Sequence, residues 1–232
     1  MVLDRIKNAF DVEKFIISEA SHKLKTPVTV IKGYCDVILQ RERDNSEYVE
    51  TLQSIKRVTV NISNLISGIM TVTTLNSGHL TYQVNKQTEI NQIILKAVEL
   101  STYLADQKKV TINFAPQNNI PFTGDEDKLI EAIFNIIENG IKYNREYGSV
   151  KISVKQEINK VIISINDTGI GIESDERDKI FERFYRTGLV SKIEGHGLGL
   201  NIAKMIVEAH SGTISVNSKI NSGTEFLITL QL

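Results

Sequence analysis

Leu24, Val28, Ile31, Cys35 and Ile38 recur at steps of four and three, and Ile17 extends the line backwards. That spacing gathers the apolar side chains on one side of a helix, as a seam for packing against another helix. Residues 41–46 are polar and read as a turn. A second run follows, with Leu52, Ile55, Thr59, Ile62, Leu65 or Ile66, and Ile69, and Asn76-Ser77-Gly78 reads as its stop. The pattern predicts two long helices joined by a turn, an antiparallel hairpin. Each helix has one apolar stripe and little else in the hairpin to bury it. Pairing two hairpins into a four-helix bundle covers both stripes, so a homodimer is expected.

From about residue 88 the texture changes. Residues 89–105 read as a helix and 110–114 as a strand. Residues 125–143 read as a second helix, with Asp125 as its N-cap. Two β-rich runs, 149–156 and 161–166, flank a short polar turn and predict a hairpin. Residues 198–210 are helical in pattern, and 213–216 and 224–230 form a second hairpin around Asn221-Ser222-Gly223. Strands mixed with helices, mostly through antiparallel connections, predict an α+β two-layer sandwich. The fold class is therefore multidomain, an α hairpin followed by an α+β domain.

Composition narrows the partners. A net charge of −1 over 232 residues gives no global electrostatic reason to bind nucleic acid or a membrane surface. A single cysteine, Cys35, excludes an intrachain disulfide and suits a reducing compartment. No apolar run reaches the ~18 residues that span a bilayer, and the N-terminal MVLDRIKNAF lacks the apolar core of a signal peptide. A cytoplasmic segment with no membrane contact of its own is expected, alone or as the cytoplasmic part of something longer.

Three stretches carry candidate chemistry. Asn135, Asn139, Lys142 and Tyr143 fall at i, i+4, i+7 and i+8, on one face of the second predicted helix of this region. Amide oxygens can take a hydrated magnesium ion, and an ammonium can neutralise phosphate oxygens. A solvated polar face has the same letters. The opposite face, Ile130, Ile133, Ile137 and Ile141, is expected to pack inward. Asp167-Thr168-Gly169-Ile170-Gly171 follows a strand; its carboxylate can accept from an adenine amino group, and its glycines admit close backbone approach. An Asx turn reads alike. Gly195-His196-Gly197-Leu198-Gly199-Leu200 opens a helix, where backbone N–H groups make an anion site. An irregular stretch precedes it instead of a strand, which excludes a Rossmann unit.

Taken in order and spacing, these stretches resemble the catalytic ATP-binding region of sensor histidine kinases. Asn135–Tyr143 is similar to the family's asparagine box, Asp167–Gly171 and Gly195–Leu200 to its two glycine boxes, and Ile180-Phe181-Glu182-Arg183-Phe184-Tyr185-Arg186 to its phenylalanine box. Ser21-His22-Lys23-Leu24-Lys25-Thr26-Pro27 resembles the phosphoacceptor box. The resemblance covers nearly the whole chain. It implies a dimerisation and phosphotransfer hairpin at 1–80, a linker at 81–87 and a Bergerat-type ATP-binding domain at 88–232. It implies magnesium at Asn139 and Asn135, phosphates near Lys142 and Tyr143, and adenine at Asp167 in a pocket shaped by Gly169 and Gly171. Arg186 would reach the γ-phosphate. Gly195, Gly197, Leu198 and Gly199 would cradle phosphates under a lid spanning roughly 184–197. ATP and Mg2+ are the cofactors and a response-regulator receiver domain the partner. Related ATPases place a carboxylate one turn before the magnesium asparagine to activate water. Here that position is Asn135, which is no base, so a separate nucleophile is needed.

His22 is that nucleophile by resemblance. A helical wheel puts it opposite the seam, beside Ser18, Thr26 and Thr29. The family has a carboxylate after the histidine, which accepts from one ring nitrogen and frees the other. Lys23 stands there and has no acceptor. Glu19 lies one turn earlier and within reach. Three readings stay open: a charge-reversed variant, an enzyme using Glu19 or water, or a chain that lost autokinase activity and kept other functions. Thr26, four residues after His22, matches the family position that orients water to hydrolyse a partner's phosphoaspartate, so phosphatase activity is also expected.

Overall fold

A computed structural model describes residues 2–76, 87–116, 118–188 and 195–232, with side-chain surroundings from Ser18 to Thr74 in the first two helices. Ser77-Gly78, residues 81–86 of the expected linker and residues 189–194 of the expected lid lie outside the described residues. The chain folds as two compact units, Met1–Asn76 and Ser77–Leu232.

The first unit is a hairpin of α1 (Val2–Ile38) and α2 (Asn45–Asn76). α1 continues through Pro27, which leaves the Lys23 carbonyl without its helical N–H. Arg43 ties the connection by donating to Glu47 (2.7 Å) and to the Val37 carbonyl (3.2 Å). Ala20 is buried, and Leu24, Ile31, Cys35 and Ile38 are half-buried along the predicted seam, but Val28 is 56% exposed. α2 departs further from its predicted stripe. Leu65 and Val72 are buried, with Ser54 and Gly68, whereas Leu52 (63% exposed) and Ile66 (43% exposed) point away. The reason is geometric. At 100° per residue the apolar positions of α2 form two strips, and periodicity does not say which strip its own partner helix covers. Buried Ser54 stays satisfied by donating to the Glu50 carbonyl (3.0 Å) and accepting from Arg57 (2.9 Å).

The second unit joins β1 (Gln87–Glu89), α3 (Ile90–Lys108), β2 (Thr111–Phe114), β3 (Pro121–Thr123) and α4 (Glu126–Lys142) to β4 (Ser149–Glu157) and β5 (Lys160–Asp167). A short 3₁₀ turn (Lys179–Phe181), α5 (Gly199–Ala209), β6 (Thr213–Lys219) and β7 (Gly223–Gln231) complete it. Five strands form one sheet in the order β2-β4-β5-β7-β6, antiparallel except for the β2–β4 pair. Val161, Ile163, Ile165 and Asp167 are buried on alternate positions of β5, as are Phe226, Ile228 and Leu230 on β7. That alternation marks a sheet with one face covered, here by the helical layer. β1 pairs with β3 in a separate two-stranded ribbon. Three-residue strands are too short for alternation to announce them.

α4 starts as its N-cap predicts: the Asp125 carboxylate accepts the Lys128 N–H (3.1 Å). Its buried face is Leu129, Ala132, Ile133, Ile136, Ile137, Gly140 and Ile141, while Ile130, expected inward, is half-exposed. His210 follows the last turn of α5. Its Nε2 accepts the Asp125 N–H (3.0 Å), and its Nδ1 donates to the Ile206 carbonyl (2.7 Å), so the ring is held as one neutral tautomer. α5 therefore runs antiparallel to α4, with His210 at the start of α4 and Gly199 beside Asn135. His210→Phe fills the space but strands the Asp125 N–H, at a cost of about 2–3 kcal/mol. Thermal melting of the second unit is expected to fall by roughly 6–12 °C.

Candidate functional site

α4 presents Asn135, Asn139, Lys142 and Tyr143 half-exposed on the side away from its buried isoleucines. Just past the helix, the Tyr143 carbonyl accepts the Ile170 N–H (3.2 Å), which brings the loop after β5 against the end of α4. β5 delivers Asp167 into that corner, 8% exposed. Its Oδ1 accepts the N–H groups of Gly169 (2.7 Å) and Thr224 (3.2 Å). Both bonds fall on one oxygen, so Oδ2 is the atom that can accept from a ligand. Burial pushes the carboxyl up to about 6, against the pull of those two N–H groups.

The glycines are required by close approach. A methyl group added at Gly169 would lie 2.6 Å from the Tyr143 carbonyl oxygen. Gly171 has φ +75° and lies against the Lys219 carbonyl, where an L side chain would be strained and obstructed. Asn221 donates to the Ile170 carbonyl (2.8 Å) and Ser218 Oγ accepts the Ile172 N–H (2.9 Å), so the β6–β7 turn braces this loop from the other side.

The second glycine stretch meets the same face of α4. A methyl group at Gly199 would lie 3.2 Å from Asn135 Oδ1, and one at Gly195 would lie 2.6 Å from Lys142 Nζ. Phe184, at φ +61°, donates its N–H to the Gly197 carbonyl (2.8 Å), and Leu198 is buried beneath. That bond ties together the two ends of the stretch expected to form a lid. Phe181 packs edge-on against Phe226, with centroids 6.2 Å apart, and its carbonyl accepts from Asn201 (2.8 Å).

Charge collects here. Burial raises the Tyr143 phenol; the Arg186 guanidinium lowers it and Glu138 raises it. Burial likewise raises the Glu138 carboxyl, opposed by Lys142. The Lys142 ammonium lies 5.6 Å from the Tyr143 ring centre. Two cations beside a glycine-lined corner suit an anionic ligand. Among the described residues no group of His, Cys, Asp or Glu side chains offers a ready metal site. Sequence reasoning missed Glu138, Asn144, Ser218 and Thr224, and assigned Thr168 no role. Asn144, Thr168, Ser218 and Thr224 shape the site through bonds that involve backbone, and Glu138 through its charge, neither of which periodicity encodes.

In the helical unit His22 and Thr26 are exposed, while Glu19 and Lys23 are half-buried. All four sit on one stretch of α1. Among the described residues no hydrogen bond joins Glu19 to His22. No described helix is long and apolar enough to cross a membrane.

Residues 124–232 match the family model of histidine kinase-, DNA gyrase B- and HSP90-like ATPases, and residues 14–78 match that of the His kinase A (phospho-acceptor) domain. The heme sensor protein HssS of Staphylococcus saprophyticus is 33% identical over 229 residues, covering 97% of this chain and 48% of that protein. The sensor protein kinase WalK of Staphylococcus epidermidis is 33% identical over 220 residues, covering 92% and 36% respectively. The chain thus spans about half or less of these relatives' lengths. A solved structure of histidine kinase ThkA, in complex with the response regulator protein TrrA, shares the fold with a TM-score of 0.75 at 20% identity. That match covers 97% of this chain and 63% of ThkA.

Proposed function

Because this chain belongs to the sensor histidine kinases of two-component systems, we propose that it transfers the γ-phosphoryl group of ATP to His22 and then to an aspartate of a response-regulator receiver domain. Residues 1–80 are the dimerisation and phosphotransfer hairpin, 81–87 the linker and 88–232 the ATP-binding domain. The carrying observation is the meeting of three distant stretches: Gly199 against Asn135, Gly195 against Lys142, and Gly169 against Tyr143.

In this reading Asp167 Oδ2 accepts from the adenine amino group. Lys142 and Arg186 offset phosphate charge, and the N–H groups around Gly195–Gly199 receive phosphate oxygens. Asn135 and Asn139, one turn apart and with no side chain on Gly199 to crowd Asn135, fit a magnesium ion held through amide oxygens. When bound, that ion would neutralise charge developing on the phosphates. His22 attacks phosphorus from one ring nitrogen. A P–N bond forms, the P–O bond to ADP breaks, and the ring proton leaves to solvent or a base. Positioning and charge supply most of the rate.

The chain works as a homodimer in the cytoplasm. Val28, Leu52, Ile66 and Met70 are exposed apolar residues in the hairpin, and a second hairpin would cover them in a four-helix bundle. Exposed Thr26, one turn after His22, suits orientation of water on a bound phosphoaspartate.

Incubation with γ-labelled ATP tests this. Label that is acid-labile, alkali-stable and absent from His22→Gln is the expected result. ATP binding with no labelled protein at any pH would overturn it. Lys23 favours that second reading, an autokinase-impaired ATP-binding module or regulator phosphatase.

A further inference from the structure

Asn144 follows the nucleotide-facing end of α4, and Thr168 follows Asp167. Neither side chain is assigned to ligand. Asn144 is nonetheless buried, 6% exposed, and makes four hydrogen bonds. Its Nδ2 donates to the carbonyls of Gly140 (2.8 Å) and Ser149 (3.1 Å). Its Oδ1 accepts from the Arg145 N–H (3.0 Å) and from the Thr168 hydroxyl (3.1 Å). An amide has two donors and two lone pairs, so every capacity is used. The flipped amide would set a donor against the Arg145 N–H and an acceptor against the Gly140 carbonyl, so its orientation is determined.

Thr168 closes the circuit. Its hydroxyl accepts the Ser149 N–H (2.9 Å), and its own N–H donates to the Ser149 carbonyl (3.1 Å). A ring of bonds therefore joins the last turn of α4, the first residue of β4 and the residue after Asp167. Gly148 makes room for it: a methyl group there would strike Asn144 Oδ1. Lys142 and Tyr143 lie just before one end of this ring, and Asp167 lies just before the other.

We propose that Asn144 is a positioning residue. With Thr168 it sets the spacing between the adenine-reading carboxylate and the phosphate-facing groups of α4, so that one nucleotide engages both together. This rests on the ATP-site reading above. A ligand held at two points gains from the second only when the spacing fits both. Loosening the ring should therefore spare ligands that touch one end and weaken those that touch both.

The test uses the full chain, with adenosine and Mg·ATP as probes, at temperatures where circular dichroism shows each variant folded. Thr168→Val and Asn144→Ser are expected to keep adenosine affinity within about two-fold and to weaken ATP about ten-fold. Thr168→Ser, which retains the hydroxyl, should bind both ligands like the parent. The double variant should be no worse than the poorer single one, because the two residues act as a unit. Adenosine and ATP weakening by one common factor, or neither changing in a folded variant, overturns the positioning role. If Asn144→Ser fails to fold, Thr168→Val decides alone. Adenosine binding absent from the parent would instead overturn the ATP-site reading itself.

Discussion

Lys23→Glu is expected to speed phosphorylation of His22 by about 10²-fold, the ordinary worth of a positioned acid–base group. A glutamate at this position can accept the N–H of one ring nitrogen and leave the lone pair of the other directed at phosphorus. It also stabilises the positive charge that the ring gains as the P–N bond forms. The ammonium of Lys23 has only donors to offer and repels that charge. Lys23→Gln separates the two effects. Removing the repulsion alone should recover only part of the rate, about 2- to 5-fold. The measurement is the initial rate of label incorporation at saturating ATP, with ATP affinity as the control. A rate unchanged in Lys23→Glu but abolished in Glu19→Gln would move the orienting role to Glu19.

Asp167→Asn is expected to weaken ATP binding by about 10²-fold while leaving the fold as stable or more so. An asparagine keeps an oxygen for the Gly169 and Thr224 N–H groups, but it offers its amino group where adenine presents one of its own. Two donors then face each other. The stability sign follows from linkage. The folded carboxyl titrates near 6, above the 3.8 of a free aspartate, because burial penalises its charge. Its contribution favours folding below about pH 4 and is lost as pH rises towards 6. At pH 7.5 the buried charge costs about 2–3 kcal/mol, which the amide removes. ATP affinity of the parent should fall on acidification from pH 7.5 to 5.5 with a midpoint near 6, and the variant should be flat across that range. Isothermal titration at several pH values measures this. Equal affinities, or the same pH profile in the variant, would remove Asp167 from adenine recognition.

Much of this was legible in the chain. The α4 pattern separates Asn135, Asn139 and Lys142 from Ile133, Ile137 and Ile141 because a helix sorts residues by angle alone. Asp125 announces the helix start because capping is a local bond. The exposure of His22 follows from the same wheel. Legibility stops where neighbours are distant. Whether Leu65 or Ile66 of α2 turns inward depends on which strip α1 covers, and the three-residue β1 and β3 exist only because each supplies the other's hydrogen bonds.

By itself, then, the sequence determined the types of the longer elements and which groups can do chemistry, since these rest on spacings within a turn or two, while the boxes were read from resemblance to a family. Tertiary structure alone decided that Asp167 is buried with one oxygen occupied. It also decided that Gly199 and Gly195 come up against Asn135 and Lys142, and that Asn144 and Thr168 brace the two ends of the site. Those are contacts between residues far apart in the chain, created only when the sheet and helices pack.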